Sequence, residues 1–245
     1  MNTTTNALLA MAVVLCGVIG PSVGSSQSID AARTLYSNGD FTHAAEIAKK
    51  LGTFEGHLIA TDALSVHGAY FVSGKERQRI LTEAIEQARM AVELEPNNPE
   101  AHLHLSRAMG RYAQSISAGR ALSEGYGEAV KDTLDTVLRL DPDRWEAHLA
   151  LGAWHSEIVA KGGFLAMLAF GASKKKALAH FAKAADLAPN SAIVHLEYAR
   201  GLLRLDPGEN RAAIVQHLRR AVEAPANDAF DRIIRKEAKD MLSEY

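Results

Sequence analysis

Small and apolar side chains recur along most of the chain at intervals of three and four residues. For example, this spacing places Ile80, Ala84, Ala88 and Ala91 on one face of an α-helix. Turns separate such runs, as where Gly39 can end one helix and Asp40 can cap the next. The pattern therefore predicts an all-α protein with one repeat domain over residues 28–245. We expect hairpins at about residues 28–52, 55–96, 99–142, 145–189 and 192–224, and a capping helix at 227–244 that begins at Asn227.

The same residues return along the chain at a nearly fixed period. Pro96, Pro142 and Pro189 lie 46 and 47 residues apart, and a histidine follows each of them by six positions. The string Glu-Ala-His-Leu-x-Leu occurs at both 100–105 and 146–151. A period of this length predicts stacked helical hairpins that wind into a superhelical solenoid. Such folds present an extended concave surface, so the period favours binding over catalysis.

The fourth hairpin resembles the tetratricopeptide repeat. That repeat is about 34 residues long and holds small, large and proline residues at fixed places. The resemblance implies tetratricopeptide-like hairpins. The period here is longer because about twelve extra residues separate the helices of the third and fourth hairpins, and HEAT-type repeats, with periods near 40 to 47, are the alternative. The residues that match the tetratricopeptide pattern are Leu151, Gly152, Ala177, Phe181, Ala184 and Pro189.

Roughly the last two-thirds of the chain is similar to the regulator of microtubule dynamics family. The insert at 162–173 and the tail at 224–242 carry this resemblance. It implies the same fold and a scaffold role, and the bacterial relatives in that family are exported proteins. A second similarity, to the periplasmic T component of tripartite transporters, rests on the repeat type and on export. It implies a ligand-binding role instead.

The first 25 residues differ in kind from the rest. Ala7–Gly20 is an apolar run, no charged side chain precedes Asp30, and small residues follow the run. This resembles a secretory signal peptide, so we expect a mature chain that begins between Ser25 and Gln27 and is periplasmic or secreted. A short uncleaved membrane anchor is the alternative. The single cysteine, Cys16, lies inside the run, so the mature chain has no thiol for a disulfide or a metal site.

Charge and motifs argue against nucleic acid, metal, cofactor and catalysis. The formal net charge of −2 does not suit a polyanionic partner. His102, His148 and His195 recur because the hairpin recurs, so we expect them to pack between helices. The Ser-x-x-Lys string at 173–176 lacks the partner motifs of penicillin-recognising enzymes. The sequence therefore predicts a protein that is not an enzyme and binds no cofactor.

The insert at 162–173 is the most unusual segment beyond the N-terminal run. In a helix, Phe164, Met167 and Leu168 would share one face, and further apolar residues would cover the opposite side. A helix that is apolar all round is normally buried, so we expect a plug packed across the superhelix. A lid over a ligand channel is one alternative. The other is a surface patch for a partner or a membrane, for which Lys174–Lys176 are suited.

Two pairs of arginines stand at identical places in the first helices of two hairpins. Arg107 and Arg111 occupy these places in the third hairpin, and Arg200 and Arg204 occupy them in the fifth. Glu157 stands on the same stripe in the fourth hairpin, and the tetratricopeptide resemblance implies that this stripe faces the concave side. The planar guanidinium suits carboxylates, so the pattern predicts a clamp for an acidic or C-terminal peptide. Solvated helix surface with local ion pairs is the alternative interpretation.

These observations favour a non-enzymatic scaffold that binds a protein or peptide in its concave groove. The alternative function is a transporter-associated component that holds an apolar organic anion.

Overall fold

The computed structural model describes residues 23–245, with side chains from Ser28 onward. Within this range the chain is entirely helical and loop, without strands, so the predicted all-α fold class is confirmed. Residues 1–22 of the predicted signal segment lie outside the described part of the chain. The described helices are α1 (Val23–Asn38), α2 (Phe41–Lys50), α3 (Phe54–Tyr70), α4 (Gly74–Leu94), α5 (Pro99–Ser115), α6 (Ala118–Ser123), α7 (Tyr126–Leu140), α8 (Trp145–Lys161), α9 (Gly163–Phe170), α10 (Lys174–Leu187), α11 (Ala192–Leu205), α12 (Arg211–Glu223) and α13 (Ala229–Leu242).

Along the described chain the helices pair into hairpins that stack in sequence. α1 packs on α2, α3 on α4, α5 on α7, α8 on α10, and α11 on α12. The first helices of neighbouring hairpins also touch, as α3 touches α5 and α8 touches α11. The short helices α6 and α9 contain the extra residues of the third and fourth hairpins.

Turn chemistry sets the ends of several helices. Gly39 has a φ of 96°, a left-handed conformation that glycine adopts without strain, and it ends α1. The Asp40 carboxylate accepts a hydrogen bond from a backbone N–H of the first turn of α2 at 3.3 Å. For α13 the predicted cap is wrong by one residue. Asp228, not Asn227, accepts a hydrogen bond from the backbone N–H of Asp231 at 2.8 Å.

Phe181 shows how closely the hairpin helices approach one another. Its ring is fully buried between α8 and α11, and glycines stand against it on both helices. A Cβ atom at Gly152 would lie 2.8 Å from the ring, and one at Gly201 would lie 2.2 Å from it. Neither distance is compatible with van der Waals contact, so the space for Phe181 depends on both glycines.

The last helix joins the two ends of the described solenoid. α13 packs on α11 and α12, and it also contacts α1 of the first hairpin. There the Arg232 guanidinium donates a hydrogen bond to the Ser37 carbonyl oxygen at 3.1 Å. Phe230 packs on Tyr70 of α3, with ring centroids 6.3 Å apart in an edge-to-face arrangement. We call this contact of α13 with α1 and α3 the seam.

The insert is not the buried plug that the apolar pattern predicts. α9 contains no buried residue, and Phe164, Leu165 and Leu168 are 75%, 78% and 71% exposed. Only its other side contacts the protein, where Phe170 meets Trp154 edge to face at 6.0 Å. The plug prediction is wrong because a pattern that is apolar on every side does not indicate which side the core covers. Among the described helices, none is both long and apolar enough to span a bilayer.

Candidate protein-binding surface

The residues predicted to form a clamp lie on the first helices of the hairpins. Arg107 and Arg111 lie on α5, Glu157 lies on α8, and Arg200 and Arg204 lie on α11. All of them are partly exposed. We call this set, together with Asp62 of α3, the arginine stripe.

Arg107 is joined to the preceding hairpin by an ion pair. Its guanidinium donates to the Asp62 carboxylate at 2.8 Å, and the His104 ring lies 3.2 Å from the same oxygen. Burial raises the pKa of Asp62, but the charges of His104 and Arg107 outweigh burial and hold it below its ordinary value. Burial lowers the pKa of His104, and Asp62 and Glu100 reverse that effect, so His104 has a raised pKa. The His104 ring thus lies between two carboxylates, 3.2 Å from Asp62 and 3.6 Å from Glu100.

Ion pairs of the same kind join the later hairpins. Arg204 of α11 contacts Glu157 of α8 at 3.1 Å. Arg144, just before α8, bonds to Glu100 of α5 and contacts Glu146 at 2.9 Å. The hydrogen bond from His104 lowers the pKa of Glu100, burial opposes this, and with the help of Arg144 the value falls to about 2. These ion pairs join the first helices of successive hairpins. Local ion pairing is the alternative interpretation that the sequence allows for these arginines.

Arg111 is the member of the stripe that differs. Its guanidinium carbon lies 5.2 Å from the centroid of the Tyr70 ring, a cation–π geometry. Within residues 28–245 it makes no ion pair with a carboxylate. Arg200 approaches the same tyrosine but is held by Glu197 at 2.7 Å and by Glu237 of α13 at 3.1 Å. Burial raises the pKa of Tyr70, and the charges of Arg111 and Arg200 act against that rise.

Two of the recurring histidines, His148 and His195, form a polar latch inside their hairpins, and the third, His102, contacts the Pro96 carbonyl oxygen at 2.8 Å. In His148 and His195, Nε2–H donates to the carbonyl oxygen of the proline six residues earlier, at 3.0 and 2.8 Å. Their Nδ1 atoms then accept from His180 and His217 of the return helices, at 3.0 and 3.1 Å. The predicted packing between helices is confirmed for these residues.

The second hairpin has a similar latch, in which a glutamine takes the place of the second histidine. His57 is the fourth residue of α3, as His148 is of α8, and its Nδ1 lies 2.8 Å from the Gln87 side-chain oxygen. The sequence pattern did not predict the partners on the second helix of each hairpin, which are Gln87, His180 and His217. These partners lie 30, 32 and 22 residues away from their histidines. Within the described chain, His, Cys, Asp and Glu side chains form no group of three or more with the geometry of a metal site.

In the latches of the fourth and fifth hairpins, the pKa values of His180, His195 and His217 fall below the ordinary value of histidine. Burial lowers the pKa of His217 to about 4, with help from His195. Burial and the nearby His180 lower the pKa of His155 to about 4 as well. At neutral pH these rings are therefore uncharged hydrogen-bonding groups.

Comparison with known families assigns the chain. The profile of the family described as regulator of microtubule dynamics protein 1-3 matches residues 63–245. The chain belongs to this family. The resemblance seen in the sequence is thereby confirmed, and the matched region runs from α3 through the seam helix α13. A comparison with curated protein sequences found no significant match.

Solved structures with this fold are tetratricopeptide proteins. The crystal structure of TTC0263, a thermophilic TPR protein of Thermus thermophilus, aligns with a TM-score of 0.61 at 17% identity, covering 87% of this chain and 98% of that one. MamA aligns with a TM-score of 0.44 at 18% identity over 81% and 90% of the two chains. YrrB, titled a TPR protein with an unusual peptide-binding site, aligns at 0.41 and 16% over 87% and 90%. The first likeness establishes a tetratricopeptide-type fold.

Proposed function

We propose that this protein is an exported, non-enzymatic scaffold that binds an acidic segment of a protein or peptide at Arg111. The observation that carries the proposal is the arrangement of Arg111 against Tyr70. The other arginines of the stripe are engaged by carboxylates of the chain itself, whereas Arg111 contacts Tyr70 and makes no ion pair among residues 28–245.

A guanidinium that stacks on a tyrosine ring keeps its N–H groups free at its edge. The stacking restricts the side chain, so less conformational entropy is lost when a carboxylate binds. Arg200 also lies near this tyrosine, but Glu197 and Glu237 already pair with it. A carboxylate of a partner would thus meet Arg111, which makes no ion pair among the described residues, and Arg200, which is already paired.

The transporter-associated alternative receives little support from the cleft beside the stripe. The cleft beside the stripe has a volume of about 220 Å³ and is lined by Tyr36, Ile59 and the Asp62 carboxylate, among others. Pockets for drug-sized organic ligands are larger, about 300 to 1,000 Å³. An ionised Asp62 in the wall also disfavours an organic anion.

Export is the second part of the proposal, and it rests on the apolar run Ala7–Gly20 with its small-residue boundary. Intact-mass measurement of protein recovered from the cell envelope tests it. We expect an N-terminus between Ser25 and Gln27. A mass that retains the whole run would mean that the segment anchors the chain instead.

Peptide display tests the binding proposal. Panning the mature chain against random peptides should enrich acidic sequences, and Arg111→Gln should weaken the enriched peptides by about 1.5 to 3 kcal/mol, the range for a hydrogen bond to a charged group. Arg139→Gln is the matched control, because Arg139 is an exposed arginine on α7, away from the stripe. Equal affinity of both variants would reject Arg111 as the binding residue, and enrichment of basic peptides would reject the acidic partner.

A further inference from the structure

α9 lies at the described surface with three large apolar side chains outward. Successive residues of a helix are 100° apart, so Phe164, Leu165 and Leu168 occupy one continuous arc of the helix. All three are more than two-thirds exposed. Met167 and Phe170 lie on the other side and are partly buried, and Phe170 packs on Trp154. The helix is therefore fixed to the protein by one side and presents the other.

Glycines in left-handed conformations set this helix apart from its neighbours. Gly163 has a φ of 67° and Gly171 has a φ of 61°, at the start and just after the end of α9. Only glycine adopts such angles readily, so the chain turns sharply on both sides of the apolar helix. The geometry makes α9 a separate surface helix.

The sequence around α9 carries only positive charge, although Lys174 pairs with Glu209 at 3.1 Å and Lys161 with Glu157. Residues 158–185 contain five lysines and neither aspartate nor glutamate. Three of the lysines, Lys174–Lys176, are exposed and form the first turn of α10 directly after α9. Cations at a helix N-terminus oppose the helix dipole, so this run is not explained by the stability of α10.

We propose that α9 and Lys174–Lys176 dock onto the surface of an anionic phospholipid bilayer. Phe164, Leu165 and Leu168 enter the boundary between headgroups and acyl chains, and the lysines contact the phosphates. The combination favours lipid over a protein partner, because an apolar arc on a surface helix needs no complementary pocket in a fluid interface. The chain lies on the membrane in this arrangement and does not cross it.

Vesicle co-sedimentation of the mature chain tests the proposal. Vesicles of phosphatidylcholine with phosphatidylglycerol should bind the protein, and vesicles of phosphatidylcholine alone should bind it much less. Replacing all three lysines by glutamine should weaken binding to anionic vesicles about a hundredfold, since each basic residue near such a surface contributes about fivefold. The triple variant Phe164→Ser, Leu165→Ser, Leu168→Ser should lose binding to both kinds of vesicle.

Matched controls separate docking from general surface stickiness. Phe71 and Leu122 are also large apolar residues, 56% and 55% exposed, and they lie outside this segment. Phe71→Ser and Leu122→Ser should bind vesicles as the wild type does, and circular dichroism should show all variants folded. No binding of the wild type to anionic vesicles would overturn the proposal, as would unchanged binding by the α9 variant. Sedimentation velocity that shows a dimer lost in that variant would overturn it too, by making a second copy the occupant.

Discussion

At the scale of single residues, the most constrained site is the ring of Phe181. Gly201 and Gly152 both lie inside helices, so their role is the space they leave rather than an unusual backbone angle. The tetratricopeptide pattern already marks Gly152 and Phe181 as matching positions. It does not mark Gly201, because the contact between α10 and α11 depends on how neighbouring hairpins stack.

We expect Gly201→Ala to destabilise the fold by about 1 to 3 kcal/mol, the usual effect of overpacking a core. Its Cβ would lie 2.2 Å from the Phe181 ring. Gly110→Ala in α5 is the matched control, since no atom lies within 4 Å of its added methyl group and alanine favours helices by about 1 kcal/mol. Urea denaturation should show opposite shifts for the two variants. A gain in stability for both would contradict the close contact.

At the scale of elements, the histidine latches make two hairpins sensitive to acid. His217 has a folded pKa of about 4, below the value of about 6.5 expected in the unfolded chain. Between these values the unfolded chain binds more protons, so stability is fully present above pH 6.5 and falls as the pH drops towards 4. The second hairpin pairs His57 with Gln87, an amide that does not ionise.

Amide hydrogen exchange at falling pH should reveal this difference after correction for the intrinsic rates. We expect α11 and α12 to lose about 1 to 2 kcal/mol of protection between pH 7 and pH 4.5, allowing for partial solvent screening. His217→Gln, which reproduces the pair of the second hairpin, should remove most of that loss while α3 and α4 stay unchanged. Equal acid sensitivity in the variant and the wild type would show that His217 is not its source.

The elements also show where sequence reasoning succeeds and where it stops. The turn at Gly39 and Asp40 and the alanine faces follow from residues a few positions apart, so local patterns predict them. The exposure of α9 depends on which side of an apolar helix meets α8, and no local pattern contains that information. Likewise the arginines of the stripe are visible in the sequence, but their partners Asp62 and Glu237 lie on another hairpin and on α13.

At the scale of the whole molecule, the seam changes how the hairpins depend on one another. In an open solenoid each hairpin contacts only its neighbours, and its ends unfold most easily. Here Arg232 bonds to Ser37, which is 195 residues away in the chain. The amphipathic pattern of α13 predicts a helix that covers the last hairpin, but it does not reveal this contact with the first. The two ends therefore stabilise each other.

Replacing Phe230 by alanine should destabilise the seam by about 2 to 3 kcal/mol. The same substitution at a fully buried phenylalanine typically costs about 3 to 5 kcal/mol. Phe230 is only partly buried, against Tyr70 and the cores of both ends. Hydrogen exchange should then show α1 and α2 opening before α11 and α12, instead of together with them. Leu122→Ala, at an exposed position of α6 outside the seam, should leave the order of opening unchanged. Simultaneous opening in the Phe230 variant would mean that the seam carries little stability.

The seam also makes the number of hairpins a fixed property of this protein. An open solenoid can lengthen by duplicating one unit, because the new unit meets only its neighbours. An added hairpin here would carry α11 and α12 further around the superhelical axis, and α13 would no longer reach Gly39 and Ser37. We therefore expect natural length variation in such chains to accumulate within hairpins, at the places where α6 and α9 lie. Duplication of a whole hairpin should produce a protein in which the seam cannot form.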